Sequence, residues 1–536
     1  IWELESGFGS SNRRSPAYAI SMADLAHVCN LRLVGTDDMK QRLRQLTQFD
    51  QSCLDKLPAS IRDKLWDTQR FGVAWMYSRA RANLGGLIAD EMGLGKTLMA
   101  LSYLYLEHHD QPSGKPTLVV APKGVEESWR QQMAEHGVTL RCESLPGKSS
   151  PSVVIGIHKS AQVVFTTFKA MLLNAVALSK LDWHSIVVDE GHEIRNHTSQ
   201  TTAALLGMRS ANRFLLTGTP WNNSTMDLWP QYEFVVPGLL GEARWFKTNV
   251  RNPMDERGSP WHFDMLKKRI APFTLIRTKK SAGMELQVQS HVERIEIEFG
   301  KEQADLHESV RIAMVKEVQD AIAERGFKRS GAKVLEAIMR LRQVTAHPAL
   351  LNLPSAMNVP SAKMQECMKL LTRLEAQGHQ TVVCSPLTSL LKIIADERLK
   401  DGLHVASITG ETSSKNRVLA KEELDSGELP LLLLSMKAGG VALNLQSANC
   451  YIQYDSWWNP ASEKQARARV ARSGQKRDMY LYELVVKNSI DERLTKVKTR
   501  KAQIADAIFG DGLPAAAELT EEDVWELLAP IPGPAE

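Results

Sequence analysis

From residue 61 onward, short apolar runs of strand length alternate with longer amphipathic stretches, the pattern of βα units that build a parallel sheet. The runs "GGLIA", "TLVVAP", "QVVFTTF", "SIVVDE" and "RFLLTG" predict strands, each ending in polar or glycine-containing residues. Open α/β sheets bind ligands there, outside the carboxyl ends of their strands. A second series, "TVVCSP", "HVASIT", "LPLLLLS", "CYIQYD" and "MYLYELVV", predicts another α/β lobe. Between the two, residues 283–360 turn helical and charged and read as a helical bridge. The chain therefore divides into a flank (1–60) with no assignable chemistry, a first lobe (61–282), the bridge, a second lobe (361–510) and a tail (511–536). The tail is rich in Pro, Ala and Glu and is expected to be a weakly ordered terminus.

Composition narrows the class without naming a function. A length of 536 residues exceeds what one hydrophobic core organises, in keeping with two lobes. Hydrophobic residues at 43% and charged residues at 24% exclude gross disorder and fibrous classes. The net charge of +4 permits nucleic-acid binding through a local patch but does not advertise it. The cysteines are scattered with no Cys-x-x-Cys pair, so neither a disulfide framework nor a zinc module is encoded, and a reducing compartment is expected. The longest apolar run stops at Lys437, far short of a bilayer span, so no membrane partner is expected.

Candidate chemistry starts with "GGLIADEMGLGKT". Its Gly-Leu-Gly-Lys-Thr follows a predicted strand and opens a predicted helix, the context of a phosphate cradle. Backbone at Gly93, Leu94 and Gly95 can approach phosphate oxygens, Lys96 can reach the β and γ phosphates, and the Thr97 hydroxyl can ligate Mg²⁺. A plain strand-to-helix turn is the competing reading. "SIVVDEGH" then sets Asp189 and Glu190 after a strand, a metal-binding carboxylate followed by one that can orient or deprotonate water. An acidic strand end is the bland alternative. In the second lobe, "NPASEKQARARVARSGQ" has Asn459 as N-cap, Pro460 at the first helical position and Gly474 beyond the end. Gln465, Arg469 and Arg472 share one face of that helix, either as arginine fingers for a γ phosphate or as a solvated basic face.

With "LWDTQRFGVAWM", "LVVAPKGVEESW", "VVFTTF", "LLTGTPWNNSTMDLW", "LIRTKK", "LRQVTAHPALL", "LLLLSMKAGGVALNL" and "YDSWWNPASEKQARARVARSGQ", these stretches follow one another in the order of the Swi/Snf-type ATPases of helicase superfamily two. The chain resembles that family over roughly residues 60–500. The resemblance implies two RecA-like parallel-sheet lobes joined by a helical bridge, ATP and Mg²⁺ as cofactors, and catalysis by Lys96, Asp189, Glu190, Arg469 and Arg472. It implies nucleotide contacts from Gln69, matching the adenine-reading glutamine, from the loop Gly93–Thr97 and from Gln465. Metal ligation is implied for Thr97 and Asp189.

Further expectations come from the same resemblance. Lys123, Thr166, Thr167, Lys437 and Gly439 fall in segments that lie along the tracked DNA strand, while Thr217 and Thr219 fall in the segment that couples ATP state to lobe movement. The implied activity is a DNA-stimulated ATPase that translocates on double-stranded DNA and remodels nucleosomes or other protein–DNA complexes, in repair or transcription, in the nucleus. A helicase acting on RNA and a nucleotide-silent DNA-binding scaffold are the rival readings. Trp66 stands where the family usually has Arg, a departure that falls on the base pocket. "LRQVTAHPALL" leans toward a branch that carries a RING insertion, yet the cysteine count leaves no room for one. The family loop also carries Asp-Glu, so Asp90 and Glu91 are expected to point away from the nucleotide, since facing a phosphate would be repulsive, and Asp90 or Glu91 to pair with basic residues or loop amides.

Overall fold

The structure is a computed structural model that describes residues 51–110, 114–218, 220, 224–255, 259–279, 281–283, 290–436, 445–456, 460–470, 475, 477–496 and 521–530. The chain divides into two compact units near residue 285, and each has its own parallel sheet.

In the first lobe the strands are β1 (Gly86–Ile88), β2 (Thr117–Ala121), β3 (Cys142–Leu145), β4 (Val163–Thr167), β5 (Asp182–Asp189), β6 (Arg209–Leu216) and β7 (Thr274–Leu275). Their spatial order is β3-β4-β2-β5-β6-β1-β7, and every pairing is parallel. The central strands are apolar on both faces because helices cover both, so they read as near-continuous Val/Leu/Ile runs. Helices α1 (Asp67–Arg81), α2 (Lys96–Asp110) and α3 (Val125–Glu135) follow the same logic, burying Val73, Met76, Met99, Leu101 and Trp129. The predicted strands are all present. β3 and β7 went unpredicted: β3 is an edge strand of mixed polarity, and β7 has only two residues. Residues 51–56, assigned to the flank, form a short 3₁₀ helix that buries Cys53 and Leu54.

The second lobe holds β8 (Ser290–Ile297), β9 (Thr381–Ser385), β10 (Val405–Ile408), β11 (Leu431–Ser435), β12 (Cys450–Gln453) and β13 (Met479–Val486), in the order β10-β11-β9-β12-β13-β8, again all parallel. Val382 and Cys384 enter one core cluster and Val383 another, so this sheet too is covered on both faces. Two expectations are corrected here. The bridge does contain long helices, α4 (Lys301–Arg325) and α5 (Gly331–Ala346), but its beginning is β8, an edge strand of the second sheet. The first half of this strand is exposed, and only Ile295 and Ile297 turn toward the core.

The second correction concerns the tail. After α6 (Pro460–Val470), the tail contains α7 (Glu521–Leu527), whose Val524 and Leu527 are buried with Leu528 against Ile338, Leu341 and Ile490. Arg311 and Arg493 donate to the carbonyls of Leu528 and Pro530 at 3.0 and 2.6 Å, satisfying groups that a helix C-terminus leaves open. Part of the presumed loose terminus is therefore docked. Among the described residues no helix is long and apolar enough to cross a membrane.

Candidate nucleotide site

β1 delivers the chain into the turn Ala89–Gly95, and α2 begins at Lys96. Gly93 and Gly95 have φ of 91° and 77°, a region that favours glycine, and a Cβ on Gly95 would stand 2.1 Å from the Gln69 amide nitrogen. The loop thus has the bare, bent backbone that a phosphate cradle needs, and it opens a helix of 15 residues whose N-terminus favours anions. The Lys96 ammonium donates to the Asp90 carbonyl at 2.6 Å and approaches the Glu91 carbonyl at 3.4 Å, lying folded over the loop.

The acidic pair beside this loop is held from outside. Asp90 is fully buried, and its two carboxylate oxygens accept from the fork of Arg277, at 3.0 Å from Nε and more closely from Nη2. Glu91 accepts from the backbone amide of Lys279 at 2.9 Å. The backbone repeats the attachment, with Ala89 and Glu91 amides donating to the Leu275 and Arg277 carbonyls at 2.8 Å each. Arg277 also donates to the Thr68 carbonyl and lies 3.3 Å from Met99 Sδ, so one guanidinium ties the loop to the starts of α1 and α2. The expectation that these carboxylates are spent on basic residues or amides is met for both.

β5 ends on Asp189, which is nearly buried and accepts from the Trp129 indole at 2.9 Å and from the Glu190 amide at 2.9 Å. Burial and then the neighbouring Glu190 charge push the Asp189 carboxyl up to about 6, against the pull of the Trp129 bond and the Lys96 charge. Glu190 itself has φ of 55°, a strained backbone for a residue with a side chain. His192 Nδ1 sits 3.3 Å from Glu190 Oε2, an ion-pair distance without hydrogen-bond alignment. Burial pulls its pKa down, but the contact with Glu190 more than offsets this and the net shift is upward. After β6, the Thr217 amide donates to Ile88 O at 3.0 Å, and a Cβ on Gly218 would lie 3.7 Å from the Lys96 amine. The carboxyl ends of the neighbouring strands β1, β5 and β6 therefore gather Lys96, Asp189, Glu190 and Thr217 at one end of the first sheet.

Gln69 is buried, accepting from the Trp66 amide at 3.1 Å and donating to Leu94 O at 3.3 Å, which seats it on the loop. Trp66 beside it leaves 42% of its surface exposed. Lys123 is exposed, as a phosphate contact requires. The Thr166 hydroxyl donates to Leu145 O at 3.1 Å, and the Thr167 hydroxyl caps the helix Phe168–Leu173 by accepting from the Ala170 amide at 3.2 Å. Both hydroxyls serve the local fold.

In the second lobe, the described part of α6 runs from Pro460 to Val470. Arg469 is buried and Arg467 pairs with Glu483. Arg342 donates to Asp455 Oδ2 at 2.7 Å and to Ser456 O at 2.9 Å, joining two of the motif stretches inside this lobe. Thr219, Lys437, Gly439, Asn459, Arg472 and Gly474 lie outside the described residues, as does the side chain of Gln465. Sequence reasoning missed Arg277, Lys279, Trp129 and His192 as partners of the site. Each lay inside a quoted motif, and only its partner was hidden.

The chain is similar to known proteins along most of its length. The SNF2-related domain matches residues 68–350, and the helicase conserved C-terminal domain matches residues 362–474. The ISWI chromatin-remodeling complex ATPase ISW2 of Saccharomyces cerevisiae is 30% identical over 84% of this chain and 41% of its own length. An uncharacterized ATP-dependent helicase of Mycoplasma pneumoniae is 27% identical over 89% of this chain and 45% of its own. The chain thus spans less than half the length of these two curated relatives. Among solved structures, the SWI2/SNF2 ATPase core of Sulfolobus solfataricus in complex with dsDNA is 27% identical and covers 87% of this chain and 97% of that one, with a TM-score of 0.42. Relatives from both yeast and bacteria are matched, so membership does not imply a nucleus. On the strength of a domain match across more than half its residues, this chain belongs to the SNF2-related family of ATP-dependent, helicase-like enzymes.

Proposed function

We propose that the chain is a DNA-stimulated ATPase that moves along double-stranded DNA and remodels chromatin or other protein–DNA complexes. The observation that carries the ATPase reading is the convergence of a bent glycine loop, Lys96, Asp189 and Glu190 at the ends of neighbouring elements of one sheet. The DNA and chromatin part is supported by relatives such as ISW2, described as the ATPase of a chromatin-remodeling complex. A role in repair and a nuclear location extend that analogy to the eukaryotic relatives.

Each residue then has a task. Loop amides and the Lys96 ammonium hold the phosphates, Glu190 orients or deprotonates the attacking water, and Gln69 reads the base edge. Arg469 and Arg472, supplied by the second lobe during turnover, stabilise charge on the γ phosphate, with Gln465 beside them. Thr97 and Asp189 are the hard oxygen ligands suited to Mg²⁺. The fit is supported by the Asp189 carboxyl, pushed up to about 6 by burial and by the Glu190 charge, a place where a divalent cation would relieve unbalanced negative charge. When bound with ATP, Mg²⁺ supplies neutralisation of the β and γ phosphates. Lys123, Lys437 and Gly439 would meet the DNA backbone, contacts that bring affinity without sequence reading.

The test is ATP turnover measured in parallel with free duplex DNA, nucleosomes and RNA. Stimulation by duplex DNA is expected, with Lys96→Ala or Glu190→Gln abolishing hydrolysis while DNA binding persists. Background turnover at saturating DNA would instead support a nucleotide-silent scaffold, and preferential stimulation by RNA would support an RNA helicase.

A further inference from the structure

At the end of the first sheet opposite the glycine loop lies a cavity of about 640 Å³, the size of a small-ligand pocket. It is lined by the end of α1 with its following turn, the end of α2, and the starts of β5 and β6. Those elements are the ones whose other ends carry Gln69, Lys96, Asp189 and Thr217. α2 alone sets Glu107 roughly 16 Å from Lys96 along the helix axis.

The charges around the cavity do not balance. Its two carboxylates already have cationic or imidazole partners: Glu107 Oε2 is 2.7 Å from His184 Nε2, and Asp182 is 3.7 Å from the Lys115 ammonium. Two guanidiniums, Arg81 and Arg209, remain. Both are exposed, and among the described residues neither has a carboxylate within ion-pair distance. Arg81 instead lies over the Tyr77 ring at 5.3 Å. Asn83, held at φ of 53° in the turn after α1, and Ser210 at the start of β6 add polar groups to the wall. A planar guanidinium fork is matched by the paired oxygens of a phosphate or carboxylate.

We propose that this cavity is a second ligand site, taking a small molecule with a phosphate or carboxylate group held between Arg81 and Arg209. The concave volume suits a small ligand rather than a duplex, which would press on a surface. The position of the site says what an occupant would touch: the far ends of the elements that build the proposed nucleotide site. That consequence rests on the ATPase reading, whereas the binding itself does not.

The experiment is calorimetric titration of the full chain with inorganic phosphate, ribose 5-phosphate and L-glutamate, in a Lys96→Ala background so that the glycine loop takes up no probe. A Kd of about 1 mM or tighter is expected for the phosphate monoester or for glutamate, and the preferred arm identifies the oxyanion. Arg81→Ala and Arg209→Ala should each weaken binding about tenfold, the scale of one charge-assisted contact. Both sites are exposed, and unchanged melting temperature in each variant shows that the fold is kept. Absence of binding by all three probes up to about 10 mM overturns the site. So does affinity unchanged from the parent in both arginine variants, or displacement of the probe by duplex DNA, which would make the cavity part of a nucleic-acid track. No readout requires ATP turnover, so failure here is distinct from failure of the proposed function.

Discussion

Asp90 and Arg277 form a two-pronged ion pair between positions 187 residues apart, and it fastens the glycine loop to the segment that follows β7. The loop's flank is acidic because a guanidinium waits behind it. The carboxylates that look hostile to a polyanion are spent on the Arg277 guanidinium and the Lys279 amide and serve as anchors.

Removing the guanidinium should therefore be worse than losing one surface ion pair. Arg277→Ala leaves Asp90 buried and unmatched, for which about 3–5 kcal/mol of destabilisation is expected. Urea unfolding of the full chain checks it, together with ATP affinity, which should fall as the loop loosens. Arg277→Lys keeps the charge but loses the fork and should recover only part of the loss.

Trp129 is the donor that orients Asp189, at 2.9 Å. Trp129→Phe keeps most of the buried volume but deletes that bond, worth roughly 1.5–3 kcal/mol to a charged acceptor. The expected result is a higher Mg²⁺ concentration for half-maximal ATPase and a kcat lower by about tenfold or more. A magnesium titration of turnover reads both.

Acid should destabilise both lobes through histidines buried in neutral form. His307 is fully covered with neither ring nitrogen hydrogen-bonded, and burial, then Arg493, lowers its pKa to about 4. His108, bonded to Thr117 at 3.0 Å, is likewise lowered to about 4 by burial and then by His184. The unfolded imidazole protonates near pH 6.5, so between 6.5 and about 4 the unfolded chain binds more protons. Stability is fully present above 6.5 and is lost as pH falls through that window, by up to on the order of 3 kcal/mol per histidine. Urea midpoints from pH 7.5 to 4.5 check this, and His307→Leu should flatten the part of the curve that belongs to the second lobe.

The docked tail should matter to the second lobe's stability. Leu527 is fully buried, and Leu527→Ala should cost about 2–5 kcal/mol. Ending the chain before α7 should lower the melting temperature further, because it also strips Arg311 and Arg493 of their carbonyl partners. A melting curve unchanged by either alteration would show that this helix contributes nothing to the fold.

By itself the sequence determined the elements and their ends. Runs such as "TLVVAP" and "TVVCSP" are apolar throughout because helices cover both faces of a parallel sheet, and that composition is local and legible. The glycine loop was legible too, since Gly93 and Gly95 are demanded by backbone geometry rather than by distant contacts. Tertiary structure alone decided the partners: which cation answers Asp90, that Trp129 orients Asp189, that the Thr166 hydroxyl is spent on a neighbouring strand, and that part of the tail docks. Charge pairing and burial depend on three-dimensional proximity, which residue spacing along a chain does not encode. β8 shows the same limit from the other side: Ile295, Ile297 and Phe299 do alternate with charged residues and turn to the core, but its first half is exposed, and its pairing with the distant β13 is not written in local spacing.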